Sequence, residues 1–414
     1  MTSNSVYVID KNKMILKTQY FLFRLYHKIK ELVSHDIDYP TISNVNEASE
    51  SSSSKRALMI YIIKPFLVEE NDPSFFSHHK NIKCKLIALI LGELGYIVDA
   101  VDIRDKQFKP SRDYDIVVSN KANLMGMEAH FTKNAKKIFL ASVTNHIVHN
   151  RNLQKRHELL FERRKCKVKV RRIYAEAMPY VTKSDAVVSI GNEFIMSTWK
   201  EVFDGPTYSF NNCGFRGTGF PFDSKDFEMA RKNFLFFASG SQVQKGLDLL
   251  LEIFPKHQSL HLYVCSPFKN ERDFCACYRK ELFETTNIHP VGWVRVNSPE
   301  FYDLARTCAY VIHPTCSEGQ PGSVVQCMYA GLIPLVTKEA GIDTEDFGVP
   351  FSGDSLEEIE RVIIEVSELK ENWHREHSVR TRRIAEVKYS ENALVEKWRG
   401  ILTEILNSAE VAAK

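Results

Sequence analysis

The sequence lacks a long hydrophobic run. The longest apolar candidate, Leu86–Leu91, is far shorter than the roughly 20 residues that a membrane-spanning helix needs. The N-terminus lacks the succession of basic, apolar and small residues typical of a secretory signal. The net charge of +3 over 414 residues is too small to indicate nucleic acid as a partner. These absences predict a soluble cytoplasmic protein, and the 44% apolar content is sufficient for two domains with full cores.

The chain also lacks paired cysteine motifs with metal-binding spacing. Cys275 and Cys277 form one Cys-x-Cys, but no second pair follows, so we expect no structural zinc site. The nine cysteines are an odd number, and several lie inside apolar, strand-like runs. We therefore expect reduced, buried thiols, as in a cytosolic protein.

What the sequence does have is a regular alternation of apolar strands and helices, which is typical of doubly wound α/β sheets. The alternation occurs twice, and the Gly-, Asn- and Pro-rich segment Asn211–Lys225 separates the two parts. A serine run, Ser51–Ser54, precedes the first part, and the amphipathic helix Ser390–Leu406 follows the second. The predicted organisation is an extension, a first domain, a second domain and a closing helix, over residues 1–55, 56–220, 221–388 and 389–414.

The stretch His313–Val336, HPTCSEGQPGSVVQCMYAGLIPLV, predicts the end of a strand, a polar loop, a short helix and the next strand. Its loop holds one carboxylate, Glu318, and Ser323 and Gln326 have the spacing of a capping box. In open α/β sheets, a loop that leads from the carboxyl end of a strand into a helix N-terminus is where anions bind. We therefore predict an anion site here that includes the first residues of the helix, Gly322, Ser323 and Val324.

A second loop of this kind follows the predicted strand Asn233–Phe237. It contains Gly240 and Ser241 and leads to Lys245, followed by a glycine and a helix. Glycine allows close approach of the backbone to a ligand, and a lysine can offset charge on phosphate oxygens. The two loops predict a pocket for a sugar diphosphate, in which Lys245 binds the diphosphate and Glu318 accepts hydrogen bonds from sugar hydroxyls. Gln326 either binds ribose hydroxyls or only completes the capping box.

Two features of the predicted first domain are further candidates. His146 follows the carboxyl end of a predicted strand, which favours a site role over a loop histidine bonded to backbone. Residues 151–172 carry ten Lys or Arg against two Glu, more than a solvated helix face needs. This surplus suits an anionic lipid surface or a phosphorylated acceptor, and its clustered part includes Arg163, Arg164, Lys165 and Lys167.

The segment SEGQPGSVVQCMYAGLIPLV resembles the C-terminal motif of the group 1, family 4-like, retaining glycosyltransferases with the GT-B fold. Residues 233–251, NFLFFASGSQVQKGLDLLL, are similar to the strand, loop, Lys-Gly and helix of the same family. The resemblance covers roughly residues 57–410 and is looser in the first domain. It implies two Rossmann-like domains facing a cleft, with a last helix around Trp398 that crosses back to the first domain.

The resemblance also implies roles for individual residues. Glu318 matches the glutamate that contacts the donor sugar, and Lys245 matches the lysine that binds the diphosphate. His146 matches the first-domain histidine near the reaction centre. Gln326 stands where the family has a second glutamate, which binds ribose, and Ser241 stands where it usually has an arginine. The resemblance therefore implies a divergent member of the family.

The predicted function is transfer of a sugar from a nucleotide diphosphate sugar, with retention and without a metal or other cofactor. The acceptor would be a glycan, a lipid-linked molecule or a small molecule, in the cytoplasm or at the inner face of an anionic membrane. Because Ser241 removes one cation, either another cation, for which Lys80 and Arg216 are candidates, replaces it or donor binding is weak. One alternative is a degenerate GT-B protein that binds glycan or nucleotide without turnover. Another is a membrane- or polyanion-binding module around residues 151–172.

Overall fold

The computed structural model describes residues 39–412 except 52–53, 70–71, 73–74, 76–78, 106–107, 121–126, 176–177, 216–224 and 345. Most of the predicted extension, the predicted domain boundary at residue 220 and the candidate cation Arg216 lie outside the described residues. Within them, the chain forms two six-stranded sheets, in which the paired strands are parallel. The predicted α/β class is confirmed.

The first domain is built on the sheet that precedes Asn211. Its strands are β1 (Lys55–Tyr61), β2 (Tyr96–Asp102), β3 (Tyr114–Ser119), β4 (Phe131–Ala141), β5 (Ala186–Ile190) and β6 (Thr207–Phe210). They lie in the order β2-β1-β3-β4-β5-β6. The helices are α1 (Lys80–Glu93), α2 (His146–Arg164), α3 (Met178–Val181) and α4 (Glu193–Lys200), with 3-10 turns at Lys64–Phe66 and Glu128–His130.

The second domain repeats this plan. Its strands are β7 (Asn233–Phe237), β8 (His261–Cys265), β9 (Ile288–His289), β10 (Tyr310–His313), β11 (Ile333–Thr337) and β12 (Val349–Phe351), in the order β12-β11-β10-β7-β8-β9. Its 3-10 turns are Phe254–Lys256, Phe268–Asn270 and Lys338–Ala340. Its helices, with the closing helix last, are α5 (Phe227–Ala230), α6 (Gln242–Lys245), α7 (Leu247–Ile253), α8 (Arg272–Cys277), α9 (Arg279–Glu284), α10 (Pro299–Thr307), α11 (Gly322–Tyr329), α12 (Leu356–Glu368), α13 (Glu371–Lys388) and α14 (Glu391–Ala412).

Local sequence explains where several helices begin. The side chain of Asn145 accepts a hydrogen bond from the amide of Ile147 at the start of α2. The side chain of Ser298 caps α10 in the same way, with Pro299 in the first turn. Each cap satisfies a backbone donor that lacks a partner within its helix.

The closing helix α14 crosses back to the first domain. Trp398 is 0% exposed and belongs to the first-domain core, where its ring meets that of Phe210 at 5.2 Å between centroids. Leu394, Leu402 and Ile405 are buried in the same core. This part of the predicted architecture is confirmed.

Helix α2 of the first domain reaches across to the second domain through its C-terminal arginines. Arg163 donates to Asp248 at 2.7 Å, and Arg164 donates to Glu252 at 2.7 Å and to Glu281 at 2.5 Å. These guanidinium groups are therefore not available as an anionic-surface patch, which corrects that part of the prediction. Lys165 and Lys167 are exposed, and no helix in the described ranges is long and apolar enough to span a membrane.

A disulfide joins the two domains next to these ion pairs. Cys166 follows α2, and Cys277 ends α8, with their Cα atoms 6.0 Å apart. The expectation that every cysteine is reduced is therefore wrong for this pair. The remaining seven cysteines are free thiols, and six of them are buried.

The packing of α14 yields the first testable prediction. Replacing Trp398 with alanine should remove a fully buried side chain from the first-domain core and lower the free energy of unfolding by about 3–5 kcal/mol. Chemical denaturation measures this loss. The control is Lys397→Ala, which changes an exposed neighbour on the same helix and should leave stability within about 0.5 kcal/mol of the wild type. Equal stability of the two variants would contradict the docking of α14.

Candidate active site

A cavity of about 430 Å³ lies between the two domains, within the size range of small-molecule sites. Its walls are formed by residues that follow the carboxyl ends of strands in both sheets. The first domain contributes Ser142 after β4 and Ile190 at the end of β5, and the second contributes Ser239 after β7. The predicted donor residues that line it are Lys245, Glu318, Gly322 and Ser323.

Lys245 and Glu318 meet in the wall of this cavity. The Lys245 Nζ atom contacts the Glu318 carboxylate, and the two residues are only 4% and 8% exposed. Gly246 makes the approach of α6 to the loop after β10 feasible, because it has φ +82° and a Cβ there would lie 2.3 Å from the Pro314 carbonyl oxygen. Glycine is therefore required directly after Lys245 for α6 to approach this loop.

The backbone of the Glu318 loop is held from both domains. The Glu318 carbonyl accepts hydrogen bonds from the amide and the hydroxyl of Thr144, and its amide donates to the Glu339 carbonyl at 3.0 Å. A Cβ at Gly319 would lie 2.5 Å from the Ser142 carbonyl oxygen, so the loop can pass between the domains only with glycine at this position. The backbone that carries the Glu318 side chain is therefore held by contacts from both domains.

Helix α11 presents its N-terminus to the cavity. Its N-cap is Pro321, which makes no side-chain cap hydrogen bond, so the predicted capping box of Ser323 and Gln326 is wrong. A Cβ at Gly322 would lie 2.3 Å from the His79 ring, which shows how closely the first domain approaches this helix end. Val324 is buried in the second-domain core and does not line the cavity.

Gln326 has a structural task. Its Oε1 accepts from the Phe215 amide at 2.9 Å, and its Nε2 donates to the Phe215 carbonyl at 3.0 Å and to Asn297 at 2.8 Å. The side chain is 1% exposed and does not line the cavity. Gln326 therefore has neither predicted role, ribose ligand or helix cap. Its side chain instead holds Phe215, in the segment between the two domains.

The loop after β7 is occupied by a carboxylate. Glu271 accepts from the Ser241 amide at 2.5 Å and from the Gln242 amide at 3.3 Å, and a Cβ at Gly240 would lie 3.3 Å from the same carboxylate. Neither Gly240 nor Ser241 lines the cavity. The amides that the sequence suggested for diphosphate binding already have a partner.

His146 does not reach the cavity. Its Nδ1 lies 3.1 Å from the Ala175 carbonyl, and its ring stacks on Tyr174 at 4.7 Å between centroids. Tyr174 does line the cavity, as do Ser142 and Val143, the first two residues after β4. The sequence predicts the correct strand end, but the side chains that face the cavity come earlier in the chain than His146.

The first domain supplies a histidine that the sequence analysis did not single out. His79 lines the cavity, and its ring stacks on Phe215 at 4.5 Å. Its Nδ1 lies 3.0 Å from the Cys213 carbonyl, which can only accept, so Nδ1 carries the hydrogen and Nε2 is an acceptor. Burial lowers the pKa of His79 to about 3, so the ring is neutral at physiological pH.

Five basic side chains line the cavity: Lys80, Lys83, Arg172, Lys245 and Arg295. Burial, and then the charge of Arg172, lowers the pKa of Lys80 and of Lys245. Burial lowers the pKa of Lys83 to about 8. Because like charges converge in a desolvated space, the cavity favours an anionic ligand.

A sequence signal existed for some of these cations. Lys80 and Lys83 are three residues apart in the first turn of α1, on the helix that follows the first strand of a predicted doubly wound sheet. Arg172 is one of ten basic residues in the run of residues 151–172, and the sequence does not distinguish it from the others. The structure separates that run into ion-paired, exposed and cavity-lining members.

Comparisons with known proteins agree with this geometry. Residues 231–368 match the sequence model of the family described as glycosyl transferases group 1, whereas a search of curated proteins finds no match. The second domain is thus a group 1 glycosyltransferase domain, and the chain has the two-domain GT-B fold. The resemblance drawn from the sequence is confirmed.

Solved structures show the same fold at low identity. Sucrose-phosphate synthase from Thermosynechococcus elongatus has a TM-score of 0.59 and 10% identity, over 86% of this chain and 100% of that chain. Anabaena HepE in complex with UDP-glucose has a TM-score of 0.54 and 11% identity, over 85% and 100%. TarM, from S. aureus, has a TM-score of 0.50 and 16% identity over 75% of this chain, which spans only 57% of TarM.

The pKa of Lys83 predicts how anion binding depends on pH. In the free protein Lys83 is charged below pH 8 and loses its charge above it, so inorganic diphosphate should bind more weakly above pH 8. Isothermal titration calorimetry at pH 6.5–9.5 measures this. The control is Lys83→Gln, whose side chain is uncharged at both ends of this pH range. The ratio of wild-type to variant affinity should therefore fall from about tenfold below pH 8 toward one above it. A ratio that does not change with pH would contradict the prediction.

Proposed function

We propose that this protein transfers a sugar from a nucleotide diphosphate sugar to an acceptor, with retention of configuration and without a metal ion. The observation that carries the proposal is the contact of Lys245 with Glu318 in a cavity that both domains line and that four further basic side chains also line. A diphosphate leaving group gains negative charge as its bond to the sugar breaks. Fixed cations in a desolvated site stabilise that charge in the transition state.

Each partner of the central contact has a role in this reaction. When the diphosphate of the donor binds, Lys245 exchanges the Glu318 carboxylate for a phosphate oxygen. Glu318 is then free to accept hydrogen bonds from sugar hydroxyls and to fix the ring. The N-terminus of α11 adds backbone donors at Gly322 and Ser323 on the same side of the cavity.

Retention is supported by the match of the second domain to group 1 glycosyltransferases and by the similarity of residues 317–336 to the motif of the retaining members. HepE, which has a similar fold, has been crystallised with UDP-glucose and with UDP and glucose. A UDP-sugar is therefore the first donor to test. The acceptor, a glycan or a lipid-linked molecule, would enter along the first-domain wall at Ser142, Val143 and Tyr174.

A second candidate function is binding of a nucleotide or glycan without turnover. The observation that favours it is Gln326, whose amide is fully used by Phe215 and Asn297. A site that lacks a ribose ligand at this position would bind its donor less tightly. Release of UDP from a UDP-sugar, with water or any acceptor, eliminates this alternative.

The central pair yields a prediction on activity. Lys245→Met and Glu318→Gln should each lower the rate of UDP release from a UDP-sugar by about 10²-fold or more, because each removes a group that acts on the leaving diphosphate or on the sugar. A coupled assay for UDP release measures this loss. Wild-type rates in both variants would refute the assignment.

The controls separate chemistry from folding. Removing one partner leaves the other charge buried and unpaired, which costs about 3–5 kcal/mol of stability. The double variant Lys245→Met/Glu318→Gln leaves no unpaired charge, so it should melt closer to the wild type while remaining inactive. Lys280→Ala and Glu158→Gln change exposed residues of the same types and should keep full activity.

Trp293 lines the cavity from the second domain and is 64% exposed. An exposed indole in a nucleotide site offers a face for a base, and such stacking contributes about 1–3 kcal/mol. Trp293→Ala should therefore weaken UDP binding by about 5- to 100-fold while leaving inorganic diphosphate binding unchanged. Titration calorimetry with the two ligands measures the difference, and an equal loss for both would contradict a role in base binding.

A further inference from the structure

Two backbone amides of the loop after β7 are already hydrogen-bonded, so side chains must balance the charge of a bound diphosphate. The amides of Ser241 and Gln242 donate to Glu271, which is 5% exposed. A phosphate group at this point would face the Glu271 carboxylate, and the amides of Ser241 and Gln242 already donate to that carboxylate. Cations that reach the cavity from elsewhere must therefore take over this role.

Arg172 is such a cation. It belongs to the first domain, yet its Nη2 donates to the hydroxyl of Ser239 at 3.0 Å, in the second-domain loop that follows β7. Both residues line the cavity, and both are exposed. The guanidinium group thus lies at the mouth of the cavity, where a planar fork of donors can bind two phosphate oxygens at once.

The segment that carries Arg172 is fastened to the second domain. Asp273 accepts from the Lys169 amide at 2.7 Å and from the Arg171 guanidinium at 2.5 Å. The disulfide Cys166–Cys277 fixes the start of the same segment. These contacts explain how a first-domain residue is held over a second-domain loop.

His149 connects Arg172 to the loop that carries Glu318. Its Nε2 lies 2.9 Å from the Arg172 carbonyl and its Nδ1 lies 2.9 Å from the hydroxyl of Ser317. Burial lowers the pKa of His149 to about 4, so the neutral ring donates through Nε2 and accepts through Nδ1. Arg172 has φ 61°, an uncommon conformation for a residue with a side chain, and the bond to its carbonyl helps to hold it.

We infer that Arg172 is a diphosphate-binding residue, delivered from the first domain across the interdomain boundary to the donor site. This inference rests on the proposed use of a nucleotide diphosphate sugar. The charge of Arg172 already acts on the same space, because it contributes to the lowered pKa of Lys80 and of Lys245. A bound diphosphate would relieve the repulsion among these three cations.

The test compares the binding of inorganic diphosphate and of UDP by Arg172→Gln, Arg172→Lys and the wild-type full chain, by titration calorimetry. Arg172→Gln should bind both ligands about 10- to 100-fold more weakly, because it loses a charge-assisted contact. Arg172→Lys keeps the charge without the planar fork and should lie between the two. The matched control is Arg151→Gln, an exposed arginine of α2, which should bind like the wild type.

Melting temperatures without ligand show whether each variant is folded, and Arg172→Lys preserves the test if Arg172→Gln is unstable. If Arg172→Gln binds as tightly as the wild type while Lys245→Met does not, the inference fails and the proposed function stands. If Arg151→Gln loses as much affinity as Arg172→Gln, the effect is one of net charge and the inference also fails. If the wild-type protein binds neither UDP nor inorganic diphosphate, the inference and the proposed function fall together.

Discussion

The passage of the Glu318 loop between the two domains is the constraint on which the site depends. The carbonyl of Glu318 is bonded to Thr144 of the first domain, and its amide is bonded to Glu339 of the second. Gly319 leaves no room for a Cβ next to the Ser142 carbonyl. A change in the relative position of the domains would therefore break the hydrogen bonds that hold the Glu318 carbonyl. Because backbone hydrogen bonds fix the loop to both domains, the geometry of the site depends on the geometry of the interface.

Desolvation gives the site its chemical character. In water, five basic groups facing one carboxylate would repel each other weakly, since the dielectric constant is high. In the cavity, burial lowers the pKa of Lys80, Lys83 and Lys245, which is a free-energy cost of folding. An anion that binds there recovers that cost. The ion pairs of Arg163 and Arg164 lie outside the cavity and hold the interface together before any ligand is present.

The sequence predicted the features that lie along single elements. The strand, loop and helix around Glu318 and the Lys-Gly pair at Lys245 follow from local spacing and apolar pattern, whereas the return of the closing helix is what the family resemblance implies. It could not predict contacts made across the interface. Gln326 has the spacing of a capping residue, but its partner Phe215 is 111 residues away. His146 follows the correct strand, but the first turn of α2 directs it to the Ala175 carbonyl.

The family match covers residues 231–368, and this range contains only part of the wall. Lys245, Glu318 and the N-terminus of α11 lie inside it, whereas His79, Lys80, Lys83 and Arg172 lie outside it and come from the first domain. A second domain alone would therefore carry the groups that hold a sugar but only two of the five basic side chains that line the cavity, Lys245 and Arg295. Binding of a strongly charged ligand requires both domains, and the fastening of α2 and of the segment after it to the second domain is part of the binding site.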